Sequence, residues 1–158
     1  MPFEIIAIGQ NMPEWVKIAC TNYQKRLPQN TKLTITEVPI IKRPKSASIS
    51  NINKIKQQES QALLSHAKKN SYLIALDSTG KQFDTIEMAA KIDRINQTHS
   101  HIVFLIGGPD GLSDELKLKS HEIWSFSKLT FAHPIVRVIL SEQIYRSWSY
   151  NQGHPYHK

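Results

Sequence analysis

Short apolar runs rich in β-branched residues alternate along this chain with stretches whose apolar positions recur every three or four residues, and no other feature constrains the fold as much. Residues 3–8 form the first run, which ends at Gly9; Pro13 then stands where a first helical turn tolerates it, ahead of a helix reaching about Arg26. Cys20 shares one stripe of that helix with Val16, Tyr23 and Leu27, as a small core residue does. Residues 33–41 predict a second strand and residues 42–50 a basic loop. Ile52, Ile55, Glu59, Ala62, Leu63 and His66 then repeat at helical spacing. A third strand over 72–76 closes on Asp77-Ser78-Thr79-Gly80, whose residues favour turns. Asp84 and Glu87 have the spacing of a capping box, and Met88, Ile92 and Ile95 supply the stripe of the helix that follows. The pattern continues with a strand at 102–106, a glycine loop at 107–111, a short helix at 113–119, a strand at 123–126 and a last helix over about 134–150.

This alternation predicts the α/β class, a parallel sheet flanked by helices, because parallel strands need long crossovers to connect them. Residues 1–158 have the length of a single domain. Ligands of such sheets sit beyond the carboxyl ends of the strands, which places the loops after Leu76, Ile106 and Phe126 at one edge. Gly107-Gly108-Pro109-Asp110-Gly111 permits close backbone approach to a ligand, and it is equally readable as a plain Pro-Asp-Gly turn. It is neither G-x-G-x-x-G nor a Walker loop, so dinucleotide and nucleotide-triphosphate readings lose their main support.

Charge narrows the class of partner. A formal net charge of +7 favours a polyanion, with nucleic acid the leading candidate. Lys42, Arg43 and Lys45 around Pro44, then Lys54, Lys56 and the terminal Lys158, form a candidate phosphate-contacting set, and each is equally readable as solvated surface. The longest wholly apolar run, residues 102–106, falls far short of the roughly 20 residues a bilayer-spanning helix needs, so no membrane partner is expected. The first residues lack a basic n-region and a small-residue cleavage site; no export is implied and a cytoplasmic location is expected, with Cys20 reduced. His99 with His101, and His154 with His157, lack the cysteine or acidic partners that complete a zinc site, so no metal is expected. No G-x-S-x-G elbow is present, which disfavours a serine hydrolase.

The most specific segment runs Ser125-Phe126-Ser127-Lys128-Leu129-Thr130-Phe131-Ala132-His133-Pro134, then Arg137, then Glu142-Gln143-Ile144-Tyr145-Arg146, and ends His154-Pro155-Tyr156-His157-Lys158. Together with Leu76-Asp77, Gly80-Lys81, Ile106-Gly107-Gly108-Pro109 and Gly111-Leu112, in that order and spacing, it closely resembles the RlmH family of small bacterial SPOUT-class methyltransferases of large-subunit ribosomal RNA. The resemblance spans the full length. It implies a SPOUT-type sheet with a C-terminal trefoil knot, a feature the general rarity of knots would have excluded from a topology built on pattern alone. It implies a homodimer that uses S-adenosylmethionine to methylate ring nitrogen 3 of a pseudouridine in 23S ribosomal RNA within an assembled ribosome.

The same resemblance implies that the donor is held around Leu76, by Gly108 in the glycine loop, and by Phe126, Ser127, Lys128, Leu129, Thr130 and Phe131. Arg146, Tyr156 and His157 match positions near the acceptor, and the tail is a candidate to act on its own or on the partner subunit's active site. Aligning methyl, sulfur and acceptor nitrogen supplies much of the acceleration. As the imide proton leaves, Arg146 is suited to stabilise charge on the neighbouring carbonyl oxygens and His157 to act as base, solvent being the alternative. The competing readings are an ion pair between Arg146 and Glu142 four residues away, and a disordered tail end at His157. The chain departs from the family pattern at Phe126, Ser141 and Ser147, and the role of Asp110 is unassigned. Two alternatives remain at this stage: a non-catalytic RNA-binding or ribosome-associated protein on the same fold, and a SPOUT methyltransferase of transfer RNA.

Overall fold

Burial follows the two periodicities of the sequence. A computed structural model describes residues 1–157, and Lys158, the last of the candidate phosphate contacts, lies outside the described residues. Five strands, β1 (Phe3–Ile8), β2 (Leu33–Val38), β3 (Tyr72–Lys81), β4 (Ile102–Ile106) and β5 (Glu122–Trp124), form one sheet in the order β2-β1-β4-β3-β5. Every pairing is parallel. Five α-helices cover it: α1 (Glu14–Arg26), α2 (Ile49–His66), α3 (Thr85–Asn96), α4 (Asp114–Lys119) and α5 (His133–Asn151).

Alternate residues of β1 serve opposite faces, as the period of two requires. Phe3, Ile5 and Ala7 join Phe104, Ile92, Leu140 and Ile144 in a core under α3 and α5, with α1 packed on α5. Ile6 and Ile8 join Val103, Leu105, Leu63 and Leu116 in a second core under α2 and α4. Both faces are therefore covered, and β1 and β4 read as unbroken apolar runs for that reason. Each fully buried Ile or Leu contributes roughly 1.5–3 kcal/mol relative to exposure. Cys20 is buried at the α1–α5 contact, as its stripe predicts.

Strand β5 ends at Trp124, two residues short of the expected Phe126, and three other boundaries differ from the pattern, each for a local reason. Strand β2 stops at Val38 because Pro39 follows, and helix α2 begins earlier than expected because Ser48 caps it, its hydroxyl accepting from the Asn51 N–H at 3.2 Å. Asp77 to Gly80 turns without ending β3. The strand bulges between Leu76 and Lys81, both of which pair with Trp124, and the Ser125 N–H donates to the Lys81 carbonyl at 2.9 Å. Gly80 permits the return, since a Cβ there would fall 2.5 Å from the Trp124 carbonyl carbon. The capping box at Asp84 and Glu87 forms in both directions.

Helix α5 buries an unusual number of polar side chains for its length. The Ser141 hydroxyl donates to the Arg137 carbonyl at 2.8 Å, and that of Ser149 meets His154. Ser147, 1% exposed, finds no hydrogen-bond partner among the described residues. An orphaned buried hydroxyl is destabilising by its desolvation. Ser147→Ala is therefore expected to raise unfolding free energy by about 1 kcal/mol, read as a higher urea midpoint at unchanged slope; a loss of stability would show that the hydroxyl has a partner.

Candidate functional site

The carboxyl ends of β3, β4 and β5 surround a cleft of about 430 Å³, within the range of roughly 300–1,000 Å³ typical of small-molecule sites. Three chain-distant segments line it: Leu76 with Asp77 and Ser78 at the β3 bulge, the glycine loop after β4, and the stretch following β5. Leu76, Gly108, Phe126, Ser127, Leu129, Thr130 and Phe131 all contribute to the wall, so the loops expected at one edge do converge. Lys128 is exposed and does not line the cleft. Trp124 and Ile106 add apolar surface.

The glycine loop is tightly folded. A Cβ on Gly107 would fall 2.6 Å from the Gly111 carbonyl carbon, and Gly108 bridges to Gly111. Beneath the loop lies Glu59 of α2, whose side chain is 1% exposed. Its carboxylate accepts from both terminal nitrogens of Arg43, at 2.6 and 2.8 Å, and from the Ile41 N–H at 3.1 Å. The Arg43 Nε donates to Asp110 at 3.1 Å. A buried charge of this kind persists because it is paired and hydrogen-bonded throughout. This corrects the reading of Arg43 as a phosphate contact: its guanidinium is committed to Glu59 and Asp110, and Asp110 gains a role as the loop's anchor.

On the other side of the cleft, His133 opens α5 and lines the wall. Its Nε2 accepts from the Arg137 Nε at 3.0 Å. Arg137 is 2% exposed, pairs with Glu37 of β2 at 2.5 Å and donates to the Gly9 carbonyl at 2.7 Å. Burial, together with the Arg137 charge, lowers the pKa of His133, while the Gly107 backbone and Glu37 oppose. Neutral imidazole is thus the folded form. The stability this gives is complete above the ordinary value of 6.5 and is lost as pH falls toward the lower folded value. Donor affinity is expected to weaken as pH falls through that lower folded value, and His133→Gln to remove the step in a calorimetric pH series; an unchanged step would assign it elsewhere. Burial raises Asp77, but the Thr79 hydroxyl and N–H, with Lys117, outweigh it and bring the carboxyl down to about 2.

Arg146, Tyr156 and His157 form a separate group. Arg146 pairs with Glu142 at 2.7 Å, the pair foreseen from their spacing. The Tyr156 hydroxyl donates to the same Glu142 oxygen at 3.1 Å, and the Arg146 guanidinium lies 5.0 Å over the Tyr156 ring. Burial, then Tyr23 and Glu142, raise the Tyr156 pKa, so its hydroxyl remains protonated. His157 lies in a short 3₁₀ turn (Pro155–His157), edge-on to Tyr150 at 5.0 Å between ring centroids, rather than in a structureless end. Arg146 sits roughly 15 Å along α5 from Val136 of the cleft wall, at 1.5 Å per residue. Within one chain, Arg146 and Tyr156 therefore stand apart from the cleft. Among the described residues no cluster of three or more His, Cys, Asp or Glu is placed to hold a metal ion, and no helix is long and apolar enough to cross a membrane.

A parallel α/β sheet with a glycine-loop cleft at its carboxyl edge has clear relatives among known proteins. A sequence profile described as "Predicted SPOUT methyltransferase" matches residues 1–157, and the chain belongs to the SPOUT methyltransferase family. It is 43% identical over 154 residues to a protein of Legionella pneumophila (strain Paris) named Ribosomal RNA large subunit methyltransferase H, covering 98% of this chain and 97% of that one. Proteins of the same name from Thioalkalivibrio sulfidiphilus (strain HL-EbGR7) and Hahella chejuensis (strain KCTC 2396) are 40% and 38% identical over 158 residues, covering 100% of this chain and 99% of each relative. The likeness read from the motifs thus holds over the described chain.

Proposed function

We propose that this chain methylates ring nitrogen 3 of a pseudouridine in 23S ribosomal RNA of the assembled ribosome, with S-adenosylmethionine as donor. The observation that carries the reading is the convergence of the three motif segments on one cleft at the carboxyl edge of a SPOUT-family sheet. The names of the relatives and the net charge of +7 support the RNA substrate. The whole chain acts as one domain in the cytoplasm, with its C-terminal segment threaded as a trefoil knot. No metal enters the proposed chemistry.

The cleft's chemistry suits the donor. Leu76, Ile106, Trp124 and Phe126 offer apolar walls to a nucleoside, and the backbone of the glycine loop, fixed from below by Glu59 and Arg43, offers polar groups at close range. S-adenosylmethionine supplies a methyl group already activated by its sulfonium. Gly108, Leu129 and the stretch between them in space hold it; Phe126 and Phe131 exclude water. Arg146 stabilises the negative charge that spreads over the acceptor's carbonyl oxygens as its proton leaves, and Tyr156 donates a hydrogen bond. His157 takes the proton.

The separation of Arg146 and Tyr156 from the cleft within one chain supports a homodimer in which the tail of one subunit completes the site of the other. Calorimetry with S-adenosylmethionine tests the donor, and a chain lacking residues 156–158 tests the tail. The full chain binds the donor and methylates ribosomes; the truncated chain binds the donor and fails. Absence of donor binding would leave a non-catalytic RNA-binding fold, and full activity of the truncated chain would remove the tail from the mechanism.

A further inference from the structure

At the amino end of the sheet, opposite the cleft, the segments preceding β3, β4 and β5 enclose a second cavity of about 590 Å³. Its wall includes Lys68, Lys69, Ser71, His99 and His121, and contains no carboxylate. Neither lysine is ion-paired among the described residues, unlike Lys91, Lys117 and Lys119 elsewhere on the surface. Two free ammonium groups on a wall without a carboxylate suit an acceptor-rich anion.

The aromatic side of the cavity is held in place. The His121 Nδ1 accepts from the Leu73 N–H at 3.0 Å, so the neutral ring carries its proton on Nε2 and has a donor left over. The ring stacks on Tyr72, with centroids 4.4 Å apart and planes at 22°, and His99 meets it edge-on at 5.5 Å. Ammonium groups and an imidazole N–H beside an aromatic wall match a phosphodiester followed by its base.

We propose that this cavity is a second RNA contact, binding a backbone phosphate through Lys68 and Lys69 with His99 and His121 as its aromatic wall. The inference rests on the reading of RNA as substrate. The stretch of β3 from Tyr72 to Asp77 separates the two sites by roughly 20 Å, at about 3.3 Å per residue. A folded RNA large enough to reach both edges engages both sites, whereas a short fragment engages one. The second contact therefore favours the acceptor when it is presented within a large structured RNA.

The test uses the full chain and its Lys68→Glu/Lys69→Glu variant. Donor affinity of the variant by calorimetry stays within twofold of wild type. Binding of the double variant to ribosomes falls at least tenfold, and its plot of log affinity against log salt becomes shallower by about 0.7–0.9, as expected for one fewer phosphate contact. Adding a short single-stranded RNA shifts the His99 and His121 ring signals of wild type but not of the double variant.

Unchanged ribosome affinity and slope in the double variant would overturn the proposal. So would a loss seen with ribosomes but not with protein-free 23S ribosomal RNA, since the cavity would then serve a protein. If wild type transfers no methyl group to ribosomes but the histidine signals still move with RNA, the proposed function fails and the contact stands. If neither occurs, the contact fails as well.

Discussion

Gly108→Arg is expected to weaken S-adenosylmethionine binding at least 100-fold, about 3 kcal/mol, while leaving the fold in place. A Cβ at position 108 would already lie 3.0 Å from the Glu59 carboxylate and 3.1 Å from the Ile8 side chain, so even alanine makes its neighbours move. An arginine additionally competes with Arg43 for Glu59, and Arg43 is what ties Asp110 to the loop. The loop is then displaced from the cleft it lines. Gly108→Ala, whose single methyl moves the Glu59 and Ile8 side chains only slightly, loses only about tenfold, or 1.4 kcal/mol. Isothermal calorimetry reads both values, and near-native melting of each variant separates a displaced loop from an unfolded chain. Unaltered donor affinity in Gly108→Arg would place the donor elsewhere.

Arg146→Ala is expected to act on turnover instead. Its guanidinium is far along α5 from the cleft and touches Glu142 and Tyr156, not the donor wall. Donor affinity should stay within twofold, and the rate of methyl transfer should fall about 10²–10³-fold, the usual cost of removing one preorganised charge-stabilising donor. The two variants together also test the shared site. Mixed dimers of Gly108→Arg with Arg146→Ala regain activity if one subunit's tail completes the other's cleft, because one intact composite site then forms. Two inactive parents that yield no activity on mixing would confine each site to one chain. Equal loss of donor affinity and turnover in Arg146→Ala would make it a support of the donor pocket.

Much of the fold was legible in the sequence because both faces of the sheet are covered. Residues 3–8 and 102–106 read as continuous apolar runs, and only a parallel sheet between two helical layers buries strands on both sides. The convergence of the loops after Leu76, Ile106 and Phe126 followed from that class alone. The β3 bulge did not follow, because turn residues mark a change of direction without saying whether the strand resumes; the contact of Gly80 with Trp124 decides it.

Side-chain partners distant in sequence were the least visible part of the site. Arg43 sits in a basic run and looked solvated, whereas its partner Glu59 occupies a helix face where a charge usually meets water. Only the fold brings them beneath the glycine loop. His133 and Arg137 were visible as motif members, but the tautomer that Arg137 imposes on His133 depends on Glu37 and Gly9, on two other segments. The pair of Arg146 with Glu142 was readable from four-residue spacing, while the closure of Tyr156 onto Glu142 required the turn at 155–157. The knot and the dimer came from resemblance, since no local pattern encodes threading or association.

The most direct measurement is methyl transfer from labelled S-adenosylmethionine to ribosomes from a strain lacking this gene, followed by nuclease digestion and mass-spectrometric identification of the labelled nucleoside. The account predicts a single labelled product, pseudouridine methylated on ring nitrogen 3, from 23S ribosomal RNA. Label on a transfer RNA, or no label from a protein that binds the donor, would contradict it.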